Sequence, residues 1–396
     1  MRHIFPYCTL LLLGILPVIS LLSCAEKPAP VLQWSKTFGG KGGYLGDLGR
    51  SVQQTTDGGY IVCGITESYG AGSQDVWLIK TDTEGNKLWD KTFGGEKNDI
   101  GISVQQTSDG GYIVCGSTDS YRADGEDIWL VKTDADGNKL WDKTFGGNGF
   151  NAGRSVQQTM DGGYIICGYT DPDGTSDGNA WLIKTDADGN KLWDSTFGGK
   201  VQAIATSVQQ ATDGGYIICG KAGSYGTGKT EAYLIKTDAT GNQLWDETFV
   251  QNDIAVFNSV QQTTDDGYIV CGTASSNKTG TAEVLLIKTD GAGRKIWGRT
   301  FGGEGISIGN SVGQTIDGGY IICGTTTSYE TNKPIELWLI KTDAKGNKLW
   351  DKTFGDEIVA QGESVEQTTD GSYIVCGTVY SESSKNVLLL KLAPEQ

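Results

Sequence analysis

Histidine is almost missing. His3 is the only one in 396 residues, and it stands in a segment read below as a removable leader. Without an imidazole in the mature chain, Ser-His-Asp and Cys-His catalysis, histidine metal sites and histidine pH switches are all excluded. Proline is scarce, at 7 residues, and basic residues are outnumbered, 32 Lys and Arg against 48 Asp and Glu. The acidic excess argues against sequence-independent binding to nucleic acid or to anionic lipid. No stretch sustains a 3.6-residue period long enough for a helix. Glycine is plentiful instead, at 59 residues, about twice its usual share. With 37% apolar residues, 11 Trp, 16 Tyr and 10 Phe, the chain has material for a large core, cut by Gly-rich turns into short elements.

The N-terminus reads as a signal. Met1 and Arg2 make a short basic start, and an apolar stretch follows from Ile4 to Leu22, broken by Pro6 and Pro17. A spanning helix wants about 20 unbroken apolar residues, so a signal peptide over 1–23 is expected. Leu21-Leu22-Ser23-Cys24 resembles the lipobox of bacterial lipoproteins, with Leu22 an unusual occupant of its slot. That resemblance implies lipidation of Cys24, which would anchor the domain without spanning the membrane. Residues 24–30 read as a tether and 31–396 as the folded domain.

The remainder is one unit repeated. SVQQT or a close variant begins at Ser51, Ser103, Ser155, Ser207, Ser259, Ser311 and Ser364, five steps of 52 residues and one of 53. In the first unit strand A is SVQQT, strand B is Tyr60-Ile61-Val62-Cys63, strand C is Val76 to Thr81 and strand D is Lys87 to Phe93. Asp-Gly and Gly-Asn turns between β-branched and aromatic runs signal hairpins. Strands B and C are apolar on both faces, as sheets stacked on both sides require. The last unit lacks strand D, and Val31 to Gly40 supplies it at the other end of the chain. The expected fold is therefore all-β: a seven-bladed β-propeller of four-stranded antiparallel blades, closed by an N-terminal strand that completes the last blade.

Lys132 to Trp141, KTDADGNKLW, looks like the C–D turn and docking Trp of quinoprotein-like propeller repeats. The whole unit is similar to delta-sixty repeats of bacterial and archaeal surface proteins. The likeness runs from Trp34 to Leu392 and implies fold rather than activity. Quinoprotein dehydrogenases use an acidic catalytic residue, calcium and often an adjacent Cys-Cys pair, and no Cys-Cys occurs here. The C–D turns are similar in position to the Asp-box of sialidases, but the Asp falls outside that motif's slot.

Repeat-wide residues read first as scaffold. Seven cysteines recur in strand B, from Cys63 to Cys376. Stacked sheets lie about 10 Å apart and a disulfide needs Cα atoms within about 7 Å, so these are expected as buried thiols rather than bridges or a metal ring. Asp82 and its counterparts cap their own turns. Gln54 and its counterparts either line an axial channel or bond backbone between blades. No metal and no cofactor are expected, although Asp171 to Asp177 spaces its oxygens like part of a calcium loop.

Strand direction puts the D–A and B–C loops on one rim. That rim varies between repeats while the opposite face is uniform, so it is where binding is expected. Tyr69, Tyr121, Tyr225 and Tyr329 recur there, with Asp124 and Asp127, and these are the ligand-binding candidates; no catalytic residue is named. The alternative for the tyrosines is packing of each onto its own blade. Two functions compete. One is a membrane-anchored lipoprotein of the cell envelope, monomeric and non-catalytic, that binds a protein or a glycan at this rim and contacts membrane through its lipid alone. The other is a secreted glycoside hydrolase or quinoprotein-like oxidoreductase, which two rim carboxylates about 5–10 Å apart in a cleft would support.

Overall fold

The computed structural model describes residues 28–40, 46–121, 125–147, 149–171, 178–198, 202–223, 229–249, 253–327, 335–355, 359–381 and 384–395. Among them every regular element is a β-strand, and no helix is long and apolar enough to cross a membrane. Cys24, Asp124, Tyr225, Tyr329 and most of the Asp171–Asp177 segment lie outside the described residues.

The strands form five four-stranded sheets and one eight-stranded sheet. In the first repeat the order is Leu48–Gln54, Tyr60–Thr66, Asp75–Thr81 and Lys87–Phe93, each pairing antiparallel with the next. The eight-stranded sheet joins two such runs, Ala203–Phe249 and Ile254–Phe301, through a single parallel pair, Thr230 with Ile254. These sheets are the blades of a β-propeller.

Strands A and B run further than the sequence pattern suggested. Strand A begins at Leu48, three residues before Ser51, and strand B continues to Thr66. Gly64 permits this: a Cβ there would lie 1.9 Å from the Leu48 carbonyl oxygen. The close approach accompanies a register shift between Gly49 and Ser51, a bulge that re-aims the residues on either side.

The N-terminal strand closes the circuit as expected. Leu32–Phe38 pairs antiparallel with Lys385–Leu392, placing Trp34 opposite Lys391 and Phe38 opposite Val387. The last sheet then packs on the first: Val52, Tyr60, Val62 and Trp77 share a core with Ile374, Cys376, Val387 and Leu389. Ile61, Cys63 and Leu78, on the other face of the same sheet, pack on Val104, Tyr112 and Trp129 of the second. Each fully buried aliphatic or aromatic side chain contributes about 1.5–3 kcal/mol relative to exposure.

The strand-B cysteines are free and buried. Cys63 Sγ fills the space beside Gly101, where a Cβ would meet it at 2.7 Å. Burial pushes the Cys115 and Cys219 thiols up to about 12. The strand-D tryptophans reach across to the next repeat: Trp34 lies 5.8 Å from the Tyr60 ring and over Gly85 of the following C–D turn.

Candidate functional site

The strand-A residue preceding the Ser-Val pair differs between most repeats: Arg50, Ile102, Arg154, Thr206, Asn258, Asn310 and Glu363. Together with the serines that follow, these residues line one axial cavity of about 340 Å³. They sit at the D–A end of strand A, towards the variable rim. A second axial cavity of about 270 Å³ lies towards the A–B turns, lined by valines, glutamines and Glu366.

The serines form a circular relay. Ser51 Oγ accepts the Val104 amide at 3.4 Å and Ser103 Oγ the Val156 amide at 3.3 Å. The pattern continues through Ser155, Ser207, Ser259 and Ser311. Ser364 Oγ returns to the Val52 amide at 3.4 Å. Because each serine oxygen accepts from backbone, its own O–H remains a donor for the cavity.

Above this relay the symmetry breaks. Arg50 Nη1 donates to Glu363 Oε1 at 2.9 Å. Burial raises the Glu363 carboxyl above its usual range, and the charge and hydrogen bond of Arg50 oppose that rise. Arg50 Nε is buried and meets no acceptor. Arg154 is exposed and lines the cavity, and among the described residues it forms no ion pair or hydrogen bond. Glu126 feels its charge, but that carboxylate takes the Ser117 hydroxyl instead. On the opposite side Asn258 Nδ2 donates to the Gly309 carbonyl at 2.8 Å and Asn310 Nδ2 to the Gly362 carbonyl at 2.7 Å. Both Oδ1 atoms are thereby left as acceptors. The cavity thus has a cationic side, an amide side and a floor of hydroxyl donors.

The glutamines divide by register. Gln53 and its counterparts line the second cavity, and Gln53 Oε1 accepts the Gln106 amide at 2.6 Å. Gln106, one residue further along the strand-A pattern, uses Oε1 to accept the Thr56 amide at 2.8 Å. Gln54 and its counterparts therefore serve as backbone links between repeats, and the preceding glutamines line the channel. Asp82 caps its turn as its sequence position suggests, accepting the Glu84 and Asn86 amides at 2.9 and 2.8 Å.

Of the rim candidates, Tyr69 and Tyr121 are 43% and 49% exposed. Their rings pack on Trp77 and Trp129 at 5.3 and 5.2 Å. Their hydroxyls donate to the Gly39 and Gly94 carbonyls at 3.1 and 3.0 Å. Each thus fastens its B–C loop to a D–A loop while staying partly exposed. Asp127 opens strand C and is buried, with Asn151 Nδ2 donating to its Oδ1 at 3.2 Å.

Two acidic side chains do meet near the rim. Asp75 and Asp99 both flank Gly94, where a Cβ would lie 1.8 Å from Asp75 Oδ1 and 2.7 Å from Asp99 Oδ2. Both are buried, at 1% and 0% exposure, which keeps a substrate from them. Asp75 accepts the Ala71 and Gly72 amides, and Asp99 accepts the Ser120 hydroxyl and the Gly95 amide. Burial raises the Asp75 carboxyl, the two amides oppose this, and the neighbouring Asp99 charge adds to it. The pair ties loops together and does not form a cleft.

Fold and cavity together define a repeat-built β-propeller with an asymmetric axial pocket. No protein-family profile and no curated protein matches the chain. Among solved structures it is similar to Sqt1 from Chaetomium thermophilum, with a TM-score of 0.51 and 11% identity over 84% of this chain and 80% of that one. It is equally similar to the S511A mutant of puromycin hydrolase complexed with PGG, with a TM-score of 0.51 and 10% identity. That match covers 85% of this chain and 52% of the hydrolase, so the chain spans about half that protein's length. At such identity the likeness is one of fold.

Proposed function

We propose that the protein is a membrane-anchored extracytoplasmic lipoprotein whose seven-bladed propeller is a non-catalytic binding domain. On this reading the eight-stranded sheet is two blades sharing one bridging pair, and the seven serine links count the blades. Its fold relationship is to quinoprotein-like and delta-sixty repeats, without the catalytic apparatus of the former. The ligand is a protein or a glycan, engaged from the variable rim with the axial pocket at its centre.

The observation that carries this reading is where the repeats differ. Strands, turns and cores repeat nearly unchanged, whereas the seven residues from Arg50 to Glu363 change character and meet around one cavity. A scaffold position has no need of Arg, Ile, Thr, Asn and Glu in turn. Among the residues lining the pocket the one carboxylate, Glu363, is paired with Arg50. A pair of carboxylates poised for acid–base work is therefore not assembled there.

The test is a titration of the purified protein with a panel of saccharides and peptides, as wild type and with Thr206, Asn258 and Asn310 changed to Ala. Loss of a ligand in the variant, at an unchanged melting temperature, supports the axial site. A variant that keeps every ligand contradicts it. Anchoring is tested separately: mass spectrometry should find a lipid-modified N-terminus at Cys24, and an unmodified terminus downstream of it would overturn that part.

A further inference from the structure

We infer that the axial pocket takes a small carboxylate that also carries hydroxyl groups, a sugar acid or hydroxy acid, with Arg154 as its anchor. The inference rests on the reading of this pocket as the binding site and adds the chemistry of what fills it.

Charge comes first. The pocket holds two guanidiniums against one carboxylate, and that carboxylate is already engaged with Arg50. Arg154 has no ion pair among the described residues of a protein of net charge −16, and Glu126, which feels its charge, takes the Ser117 hydroxyl. A guanidinium that lines the pocket outside any ion pair is available for an incoming anion. Its planar fork matches a carboxylate in two parallel hydrogen bonds.

Hydrogen-bond inventory supplies the rest. The serine hydroxyls accept from backbone amides at 3.3–3.4 Å, which leaves their protons free to turn towards an oxygen of the ligand. The Gly309 and Gly362 carbonyls take one N–H each of the Asn258 and Asn310 side-chain amides. Each amide keeps a second N–H and its Oδ1, so this side matches hydroxyl groups, which both donate and accept. A bare carboxylate leaves the Oδ1 acceptors unused, and a neutral polyol leaves Arg154 unused. A molecule with a carboxylate at one end and hydroxyls at the other satisfies both. The cavity, about 340 Å³, falls in the size range of small-molecule sites, about 300–1,000 Å³.

The experiment is calorimetric titration of the full-length protein with D-glucuronate, D-glucose and acetate. Glucuronate should bind, with glucose and acetate each roughly tenfold or more weaker. Arg154→Ala should weaken glucuronate about 10- to 100-fold, the loss expected for a charged hydrogen-bonded contact, and Arg154→Lys should recover part of it. Asn258→Ala with Asn310→Ala should narrow the gap between glucuronate and acetate. Melting curves of each variant confirm that the fold is retained. Absence of glucuronate binding, equal affinity for glucose and glucuronate, or unchanged affinity in Arg154→Ala overturns the inference. Should a neutral ligand bind and be lost in the double Asn variant alone, the axial site stands and the acid falls. Should binding be lost only through the C–D turns, as in Lys139→Ala with Lys191→Ala, both fall.

Discussion

Lys341 Nζ lies 2.8 Å from Asp317 Oδ2, with the lysine fully buried and the aspartate half exposed. The same nitrogen donates to the Thr342 carbonyl at 3.0 Å. This latch pins the end of strand C to the A–B turn, and it recurs from Lys80–Asp57 to Lys391–Asp370. Removing the aspartate would leave the buried lysine only the Thr342 carbonyl and, at 4.0 Å, Glu395 Oε1. Asp317→Ala should therefore cost about 3–5 kcal/mol, as when a buried pair is broken from one side. Replacing Lys341 by Met should cost less, because the exposed aspartate can be solvated. Urea titrations of the two variants check the order, and equal losses would contradict it.

The latches also set an acid limit. Burial raises Asp109, Asp161 and Asp265, but hydrogen bonds from a threonine, the lysine and a backbone amide outweigh it and hold each carboxyl at about 2. A carboxyl lowered in the folded state stabilises it above its unfolded pKa of about 4, and that contribution disappears as pH falls to about 2. Stability should accordingly be level from neutral pH to about 4 and fall steeply below. The aspartates are more than half exposed, so solvent screening moderates each one's share. Circular dichroism against pH tests this; a main transition above pH 5 would contradict it.

Much of this fold was legible because a 52-residue period exposes every structural position several times over. The closing strand could be read from what the last repeat lacks, and the buried thiols from spacing alone. The axial site was equally present in the sequence, as a strand position where Arg, Ile, Thr, Asn and Glu replace one another just before a constant motif. Arg50 stands just before SVQQT, so the repeat pattern alone assigns it to the preceding loop. Strand A in fact begins at Leu48, and the bulge at Gly49–Ser51 goes with the placing of Arg50 in the cavity wall. Asp127 illustrates the reverse error of scale: it reads as the end of a variable loop and is the first, buried residue of strand C.

The closing strand should be indispensable. Trp34 and Phe38 pack against the core shared by the first and last repeats. Deleting residues 31–40 would leave the edge of Lys385–Leu392 unpaired, an aggregation hazard. Light scattering of the deletion variant should show aggregates, and a soluble variant with an unchanged melting temperature would contradict closure.

The strand-B thiols should be inert in the native protein. All seven are buried and free, and burial holds their pKa values far above neutrality, which suppresses the reactive thiolate. Alkylation should proceed only on unfolding. Labelling of the folded protein within minutes would show that the inter-blade packing opens.

A tryptophan–aspartate pair offers a test of local bookkeeping. Trp77 Nε1 donates to Asp90 Oδ2 at 3.0 Å, and Trp129, Trp181 and Trp338 do the same with their own aspartates. Where strand C carries Leu285 instead, Ile287, two residues along the same strand, faces Gly298 rather than an aspartate. The chain thus drops donor and acceptor together. Asp90→Ala should cost about 1–3 kcal/mol by orphaning a buried donor, and much less when combined with Trp77→Phe. A double-mutant cycle measures the difference, and strict additivity would contradict the pairing.

The most direct measurement is a crystal structure of the protein soaked with D-glucuronate. The ligand should lie in the axial pocket with its carboxylate about 2.7–2.9 Å from the Arg154 guanidinium and its hydroxyls towards Asn258 and Asn310. A pocket holding only solvent, with the ligand at the C–D turns or nowhere, would contradict the account.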